Sequence, residues 1–266
     1  MFQFALIFLA SYLIHGFGVT IGYHRLLSHR SFRCPKWVEY FFVLSGYLAF
    51  EGSPIWWAAI HRLHHKYADL PEDPHRPLEG AWHSYMGWLF TINPAEVHEE
   101  VICKDLLKDP LYVFLEWGDE KLMFVINVLF RLVIWYFFGW VPALASLVAG
   151  ICVFQIPLML NLFCHISRLG YKNFATTDDG VNVWWIGVLA LGEGWHNNHH
   201  AFPGSARTGL KAYELDLSWL VIRTLRFLRL ARSVNDYSRI AAVEVNSVQL
   251  LPVEAERAER PRERVS

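Results

Sequence analysis

Charge is scarce in this chain. Only 18% of its 266 residues are charged, against roughly 25% in soluble domains. The formal net charge is -1, and no long basic stretch interleaved with aromatics occurs, which sets nucleic-acid partners aside. Cysteine is scarce too. Cys34, Cys103, Cys152 and Cys164 form no C-x-x-C pair, so neither a disulfide framework nor an iron–sulfur cluster, which needs about four thiolates at set spacings, is expected. No internal repeat is present beyond the histidine clusters described below.

Apolar and aromatic residues fill the space that charge leaves. They make up 54% and 16% of the chain, with 12 Trp and 19 Phe, a composition suited to aromatic belts at two membrane–water interfaces. Residues 2–23 form an uncharged run long enough to span a bilayer core of about 30 Å. It lacks a basic leader region and a small-residue cleavage site, so it reads as a retained helix. Further apolar runs cover 122–140 and 143–164, joined by a tight turn at 139–142. The run 38–60 is interrupted by Glu51, Gly52, Ser53 and Pro54 and reads as a buried or interfacial helix. A shorter apolar piece covers 183–191, and 217–230 is amphipathic, with Arg223, Arg226 and Arg229 three residues apart. Residues 241–266 are charged and weakly periodic, as in a disordered tail, which leaves 1–240 as one domain.

Charge placement implies a topology. The 139–142 turn carries no charge, whereas Arg25, Arg30, Arg33 and Lys36 follow the first span. The positive-inside rule then puts the N-terminus outside and the charge-rich segments in the cytoplasm. Arg131 sits mid-span, and the expectation is that it pairs with Asn127 or a carbonyl inside the bundle.

Histidine is the residue whose placement is least random. Of 13, eight fall in three clusters: His24 and His29; His61, His64 and His65; His196, His199 and His200. In H-x-x-H-H the residues i, i+3 and i+4 share one helix face, where three imidazoles can converge. His24 and His29 are five apart, about 140° round an ideal α-helix, so one should lie where the helix ends or turns. His165 ends the third span, with Asn161 one turn earlier. His15, His75, His83 and His98 read as ordinary core or surface groups. Imidazole suits zinc, copper, iron and nickel. A zinc site needs only three or four ligands, whereas eight or nine histidines suit two metal ions. The carboxylate di-iron pattern Glu-x-x-His occurs at Glu72/His75 and Glu193/His196, but Pro74 interrupts the first and Gly194 weakens helix at the second. An oxygen-activating metal pair would need electrons from a separate partner, since the cysteines supply no centre.

At these clusters the sequence resembles the membrane fatty acyl desaturase family, in its Δ9, stearoyl-type branch. The likeness extends over the runs 22–32, 61–66 and 192–203, over Asp73, Pro74 and His75, and over Gly87 and Trp88, and it covers roughly residues 15 to 230. The resemblance implies an all-α integral-membrane bundle: about three spanning helices, an interfacial helix and a cytoplasmic helical cap. It implies that His24, His29, His61, His64, His65, His165, His196, His199 and His200 bind two irons, with Asn161 holding a metal-bound water. It implies O2-dependent removal of two hydrogens from a long saturated acyl chain, which lies in a narrow apolar tunnel, giving a cis double bond. Trp57 matches a tryptophan near the substrate site, and Asp73 and His75 look like partners of the metal-bound rings. A ferredoxin- or cytochrome b5-type donor is implied, and no such module stands within these residues. Location is implied to be a bacterial inner membrane, or the endoplasmic reticulum in a eukaryote.

One departure concerns the carrier of the acyl group. Ala59, Ile60, Thr91 and Ile92 stand where the acyl-CoA enzymes carry charges, so CoA phosphates lose their obvious partners. The pattern Asp216, Leu217, Ser218, Trp219 is of prokaryotic type and points the same way. An acyl chain on a membrane lipid therefore rivals acyl-CoA. Two further readings stand beside desaturation: hydroxylation by a related di-iron enzyme, and non-catalytic metal binding or transport. A transporter should place polar groups near the midplane of its spans, whereas spans one and three are nearly free of them.

Overall fold

The computed structural model describes residues 1–238 and 240; the tail expected at 241–266 lies outside the described residues. Helix α1 (Phe2–Phe17) continues without a break into a π-helical segment, Gly18–Ser28. Next come α2 (Lys36–Tyr47) and α3 (Pro54–Tyr67). A helical stretch over 81–91, partly π-helical, and several single turns then lead to α4 (Pro110–Trp117), α5 (Asp119–Phe138) and α6 (Trp140–Phe163). α7 (Trp184–Leu189), α8 (His196–Ala201) and α9 (Leu217–Phe227) follow. Among the described residues there is no strand, only isolated bridges such as Arg33 with Arg232.

Local chemistry sets these boundaries. The interruption at 51–54 separates α2 from α3: Ser53 Oγ accepts from Ile55 N at 3.1 Å, and Pro54 occupies the first helical position, where its missing N–H costs nothing. Asp109 and Asp216 cap α4 and α9 in the same way, Asp216 Oδ1 accepting from Trp219 N at 2.8 Å. Gly139, at φ 87°, makes the turn between α5 and α6, a conformation that glycine adopts without steric penalty. The amphipathic helix stops at Phe227, short of the expected 230. Arg229 is left-handed at φ 60°, and Leu230 N turns back to Leu225 O at 2.8 Å, so Arg229 lies past the helix.

Among the described residues, three helices are long and apolar enough to cross a membrane: Phe2–Ser28, Glu120–Phe138 and Trp140–Phe163. α1 packs along α6, α5 along α6, and α2 along the π-helical segment. The outward side of α5 carries half-exposed Phe124, Val128, Leu132 and Trp135. Arg131 is buried and paired as expected: its guanidinium donates to Asn127 Oδ1 and, at 2.6 Å, to Leu48 O, and lies 5.0 Å from the Phe50 ring, while its Nε finds no acceptor. His15 is likewise a core group, with Nδ1 donating to Ser45 O at 2.9 Å.

Candidate metal centre

The π-helical segment resolves the spacing problem at the first cluster. Hydrogen bonds running i→i+5 put residues five apart one turn above one another, and His29 N indeed donates to His24 O at 3.1 Å. Their rings stand 4.8 Å apart, although an α-helix would have turned them away from each other. His165 follows the end of α6.

All nine expected histidines come together, in two adjoining groups. His24, His29, His61, His65 and His199 form one; His64, His165, His196 and His200 form the other; within each, the ligand nitrogens lie within 4.8 Å of one another. Each H-x-x-H-H triplet is divided between the groups rather than converging on one point. On α3 the i, i+4 pair His61 and His65 enters the five-ring group and His64 the four-ring group. On α8 the i, i+4 pair His196 and His200 enters the four-ring group and His199 the five-ring group. The reason is angular: i and i+4 diverge by about 40°, while i+3 and i+4 diverge by about 100°. The helices meet where His65 and His200 stand 4.7 Å apart, centroid to centroid.

The inner nitrogens face one another across short gaps. Nε2 to Nε2 separations are 3.0 Å for His24 and His199, 2.7 Å for His29 and His61, and 3.1 Å for His165 and His196. Neutral rings cannot satisfy five converging nitrogens with their own protons. A metal–nitrogen bond of about 2.0–2.1 Å places neighbouring ligands about 3 Å apart, so the donor set fits a bound cation. Burial first, and the neighbouring rings second, push His29, His61, His65, His196 and His199 well below the usual imidazole range. These rings therefore present neutral lone pairs.

The outer nitrogens meet carboxylates. His64 Nδ1 lies 3.0 Å from Asp73, His165 Nδ1 2.9 Å from Asp69, His200 Nδ1 3.2 Å from Asp178, and His24 Nδ1 2.9 Å from Glu193. A carboxylate there keeps the proton on Nδ1 and leaves the Nε2 lone pair facing inward. Burial opposes a charged His165, but Asp69 outweighs it and lifts that ring above the usual range. Asp73 accordingly serves His64 and also accepts from His75 N at 3.2 Å. His64, Asp73 and His75 could themselves form a three-ligand group, but His64 Nε2 points at His200, 3.3 Å away.

Asp69, Asp178 and Glu193 were not anticipated in these roles. Asp69 is left-handed at φ 61°, and Asp178 Oδ1 accepts from Gly180 N at 2.8 Å, so in sequence both read as turn residues. Glu193 serves His24, not His196, and its other oxygen accepts from Arg25 Nε at 2.9 Å. Arg25 is fully enclosed and also donates to both oxygens of Asp216, at 3.0 and 3.1 Å. Asn197 and Asn198 pin the short α8: Asn197 Oδ1 accepts from Asn173 N at 2.7 Å, and Asn198 Nδ2 donates to Thr208 O at 2.9 Å.

A cavity of about 40 Å³ adjoins the rings, walled by Val19, Ile156, Pro157 and Leu160 on its apolar side and touched by Asn161 and Trp57. It is a narrow slot with room for a few waters, shorter than the tunnel that the family resemblance implies. Trp57 stacks on His61 at 5.1 Å and donates from Nε1 to Glu51 Oε2 at 3.1 Å. Burial pushes the Glu51 carboxyl well above the usual range.

Comparison with known proteins agrees with the site. A family model described as fatty acid desaturase matches residues 2–224. The sn-1 stearoyl-lipid 9-desaturase of Anabaena variabilis is 41% identical over 220 residues, 82% of this chain and 79% of that protein. Delta-9 acyl-lipid desaturase 1 of Arabidopsis thaliana is 39% identical over 227 residues, 84% and 72% of the two chains. An acyl-CoA 5-desaturase of Anemone leveillei is 41% identical over 230 residues, 84% and 69%. By their names, these three relatives span two acyl carriers and two double-bond positions.

Proposed function

We propose that this chain, which belongs to the fatty acid desaturase family, introduces a cis double bond near carbon 9 of a long saturated acyl chain, using dioxygen and an external electron donor. In the overall reaction two hydrogens leave adjacent carbons. Dioxygen accepts them with two further protons and two electrons, and two waters form. The observation that carries this reading is the convergence of nine imidazoles beside an apolar slot. His24, His29, His61, His65 and His199 would hold one iron, and His64, His165, His196 and His200 the other, with Asn161 placing a water. The bound pair would supply the activation of dioxygen.

The chain's own residues do the remaining work. Asp69, Asp73 and Asp178 fix the tautomers of His165, His64 and His200, and Glu193 lies beside Nδ1 of His24. Val19, Ile156, Pro157 and Leu160 exclude water and line the acyl path, which must widen to admit a chain. Glu51 accepts from Trp57 and holds it flat against His61. In this reading the three apolar helices cross the membrane and the histidines face the cytoplasm, which the basic residues after the first helix support. The acyl carrier in this reading is a membrane lipid, since Ala59 and Ile60 are buried in the core and offer CoA no charge.

Expression in a host that lacks the activity tests the proposal. Fatty acids are profiled with double-bond position assigned, for the wild type and for His64→Ala and His199→Ala. New cis-9 unsaturation that disappears in both variants is the expected result. An unchanged profile from folded, iron-loaded protein supplied with reductant would refute it, and a hydroxylated product would redirect it to hydroxylase chemistry.

A further inference from the structure

A second built feature lies on α9, away from the histidines. Arg207, Arg223 and Arg226 line one recess with Trp219 and Phe227, and Asp236 is its one acidic member. Arg207 is held in place by Nε donating to Gly209 O at 2.6 Å. Asp236 is engaged in its own turn, accepting from Ser238 N at 3.0 Å. Arg223 and Arg226 are exposed and lie three residues apart on one flank of the helix.

The rest of α9 shows what meets this flank. Ser218, Trp219 and Ile222 are buried against the protein, while Leu220, Phe227 and Leu228 are 46%, 85% and 56% exposed. Leu220 and Phe227 are seven residues apart and point the same way, beside Arg223. An apolar outer edge with a basic flank is the pattern of a helix lying in the plane of a bilayer surface. Depth agrees. Thr20 Oγ1, in the first apolar span, meets Ser218 Oγ at 2.7 Å, and Arg33, just beyond that span, exchanges main-chain hydrogen bonds with Arg232 at 2.8 and 2.7 Å. α9 therefore sits level with the end of the span, where phosphate headgroups lie.

We propose that the arginine recess on α9 binds the phosphate of an anionic membrane lipid, whose acyl chains lie along Leu220 and Phe227. Three guanidiniums against one carboxylate favour an anion, and guanidinium forks match phosphate oxygens. The proposal rests on the membrane placement given above and not on the reaction. Desaturation could be disproved and this site would still stand.

Full-length protein is placed in nanodiscs of phosphatidylcholine and phosphatidylglycerol in equal parts, and lipid retained on release is read by native mass spectrometry. The wild type is expected to retain phosphatidylglycerol preferentially. Arg223→Gln with Arg226→Gln should lower that preference by about fivefold per arginine, the strength of one basic residue at an anionic surface. Arg223→Lys with Arg226→Lys should keep most of it. Lys108→Gln with Arg168→Gln, which removes two charges from other exposed positions, should leave it unchanged. Equal retention of the two lipids by the wild type overturns the proposal, as does an equal loss in the Lys108/Arg168 pair. Displacement of the lipid by dilute inorganic phosphate would show a free-anion site instead. Unchanged lipid retention with slower reduction by an acidic protein donor would reassign the recess to that donor.

Discussion

Arg25 is the most constrained side chain beside the site. It is 1% exposed and bridges Glu193 and Asp216. Arg25→Met would leave two buried carboxylates without their cation, which costs about 3–5 kcal/mol, and a large fall in the melting temperature of the solubilised protein is the expected reading. The carboxylates on the outer nitrogens act more locally. Asp69→Ala removes the acceptor that orients His165, and a change of this kind lowers metal affinity about 10- to 100-fold. Iron titration should then show the four-ring group filling at higher concentration while the five-ring group fills as before; equal weakening of both would contradict the assignment of His165. Six of the nine histidines were legible in the sequence because spacing i, i+3, i+4 declares a shared helix face; His24, His29 and His165 were read from their places at the ends of spans and from the family resemblance. Asp69 and Asp178 were not, because they approach the rings from turns whose path only the folded chain defines.

At the scale of elements, the π-helical segment is the decisive piece. The sequence showed that His24 and His29 could not share an α-helical face, and it located the conflict correctly. It could not show that a change of hydrogen-bond register would resolve it, since that choice depends on packing against α2. Gly18 is where the two helices touch most closely: a methyl group there would collide with the main chain of Ser45 and Gly46. Gly18→Ala should therefore destabilise by about 1–3 kcal/mol, the range for overpacking. The expected outcome is a lower melting temperature and reduced iron in the five-ring group. Loss of stability with full iron content would mean that the segment does not position His24. The division of each H-x-x-H-H triplet between two groups also escaped the sequence reading, because it follows from how α3 and α8 face each other.

For the whole molecule, the three apolar runs, the uncharged turn between the last two and the basic residues after the first were readable directly, and the helices stand close to where the runs lie. Sidedness is open to a labelling test. Trp140→Cys, 65% exposed at the start of α6 beside the Gly139 turn, should react with a membrane-impermeant maleimide from outside intact cells. Lys104→Cys and Arg168→Cys, both exposed, should react only after the membrane is opened. Labelling of all three from one side would overturn the three-span topology.

The Arg25 bridge has a thermodynamic consequence. Glu193 touches the His24 ring, Arg25 joins Glu193 to Asp216, and Asp216 caps α9. Metal occupancy and the seating of α9 are then linked functions, and linkage is reciprocal. Whatever free energy iron gains from an ordered α9, α9 must gain from iron. Backbone amides of α9 should exchange with deuterium more slowly in the iron-loaded protein, by the same factor by which anchoring α9 on the bilayer tightens the iron.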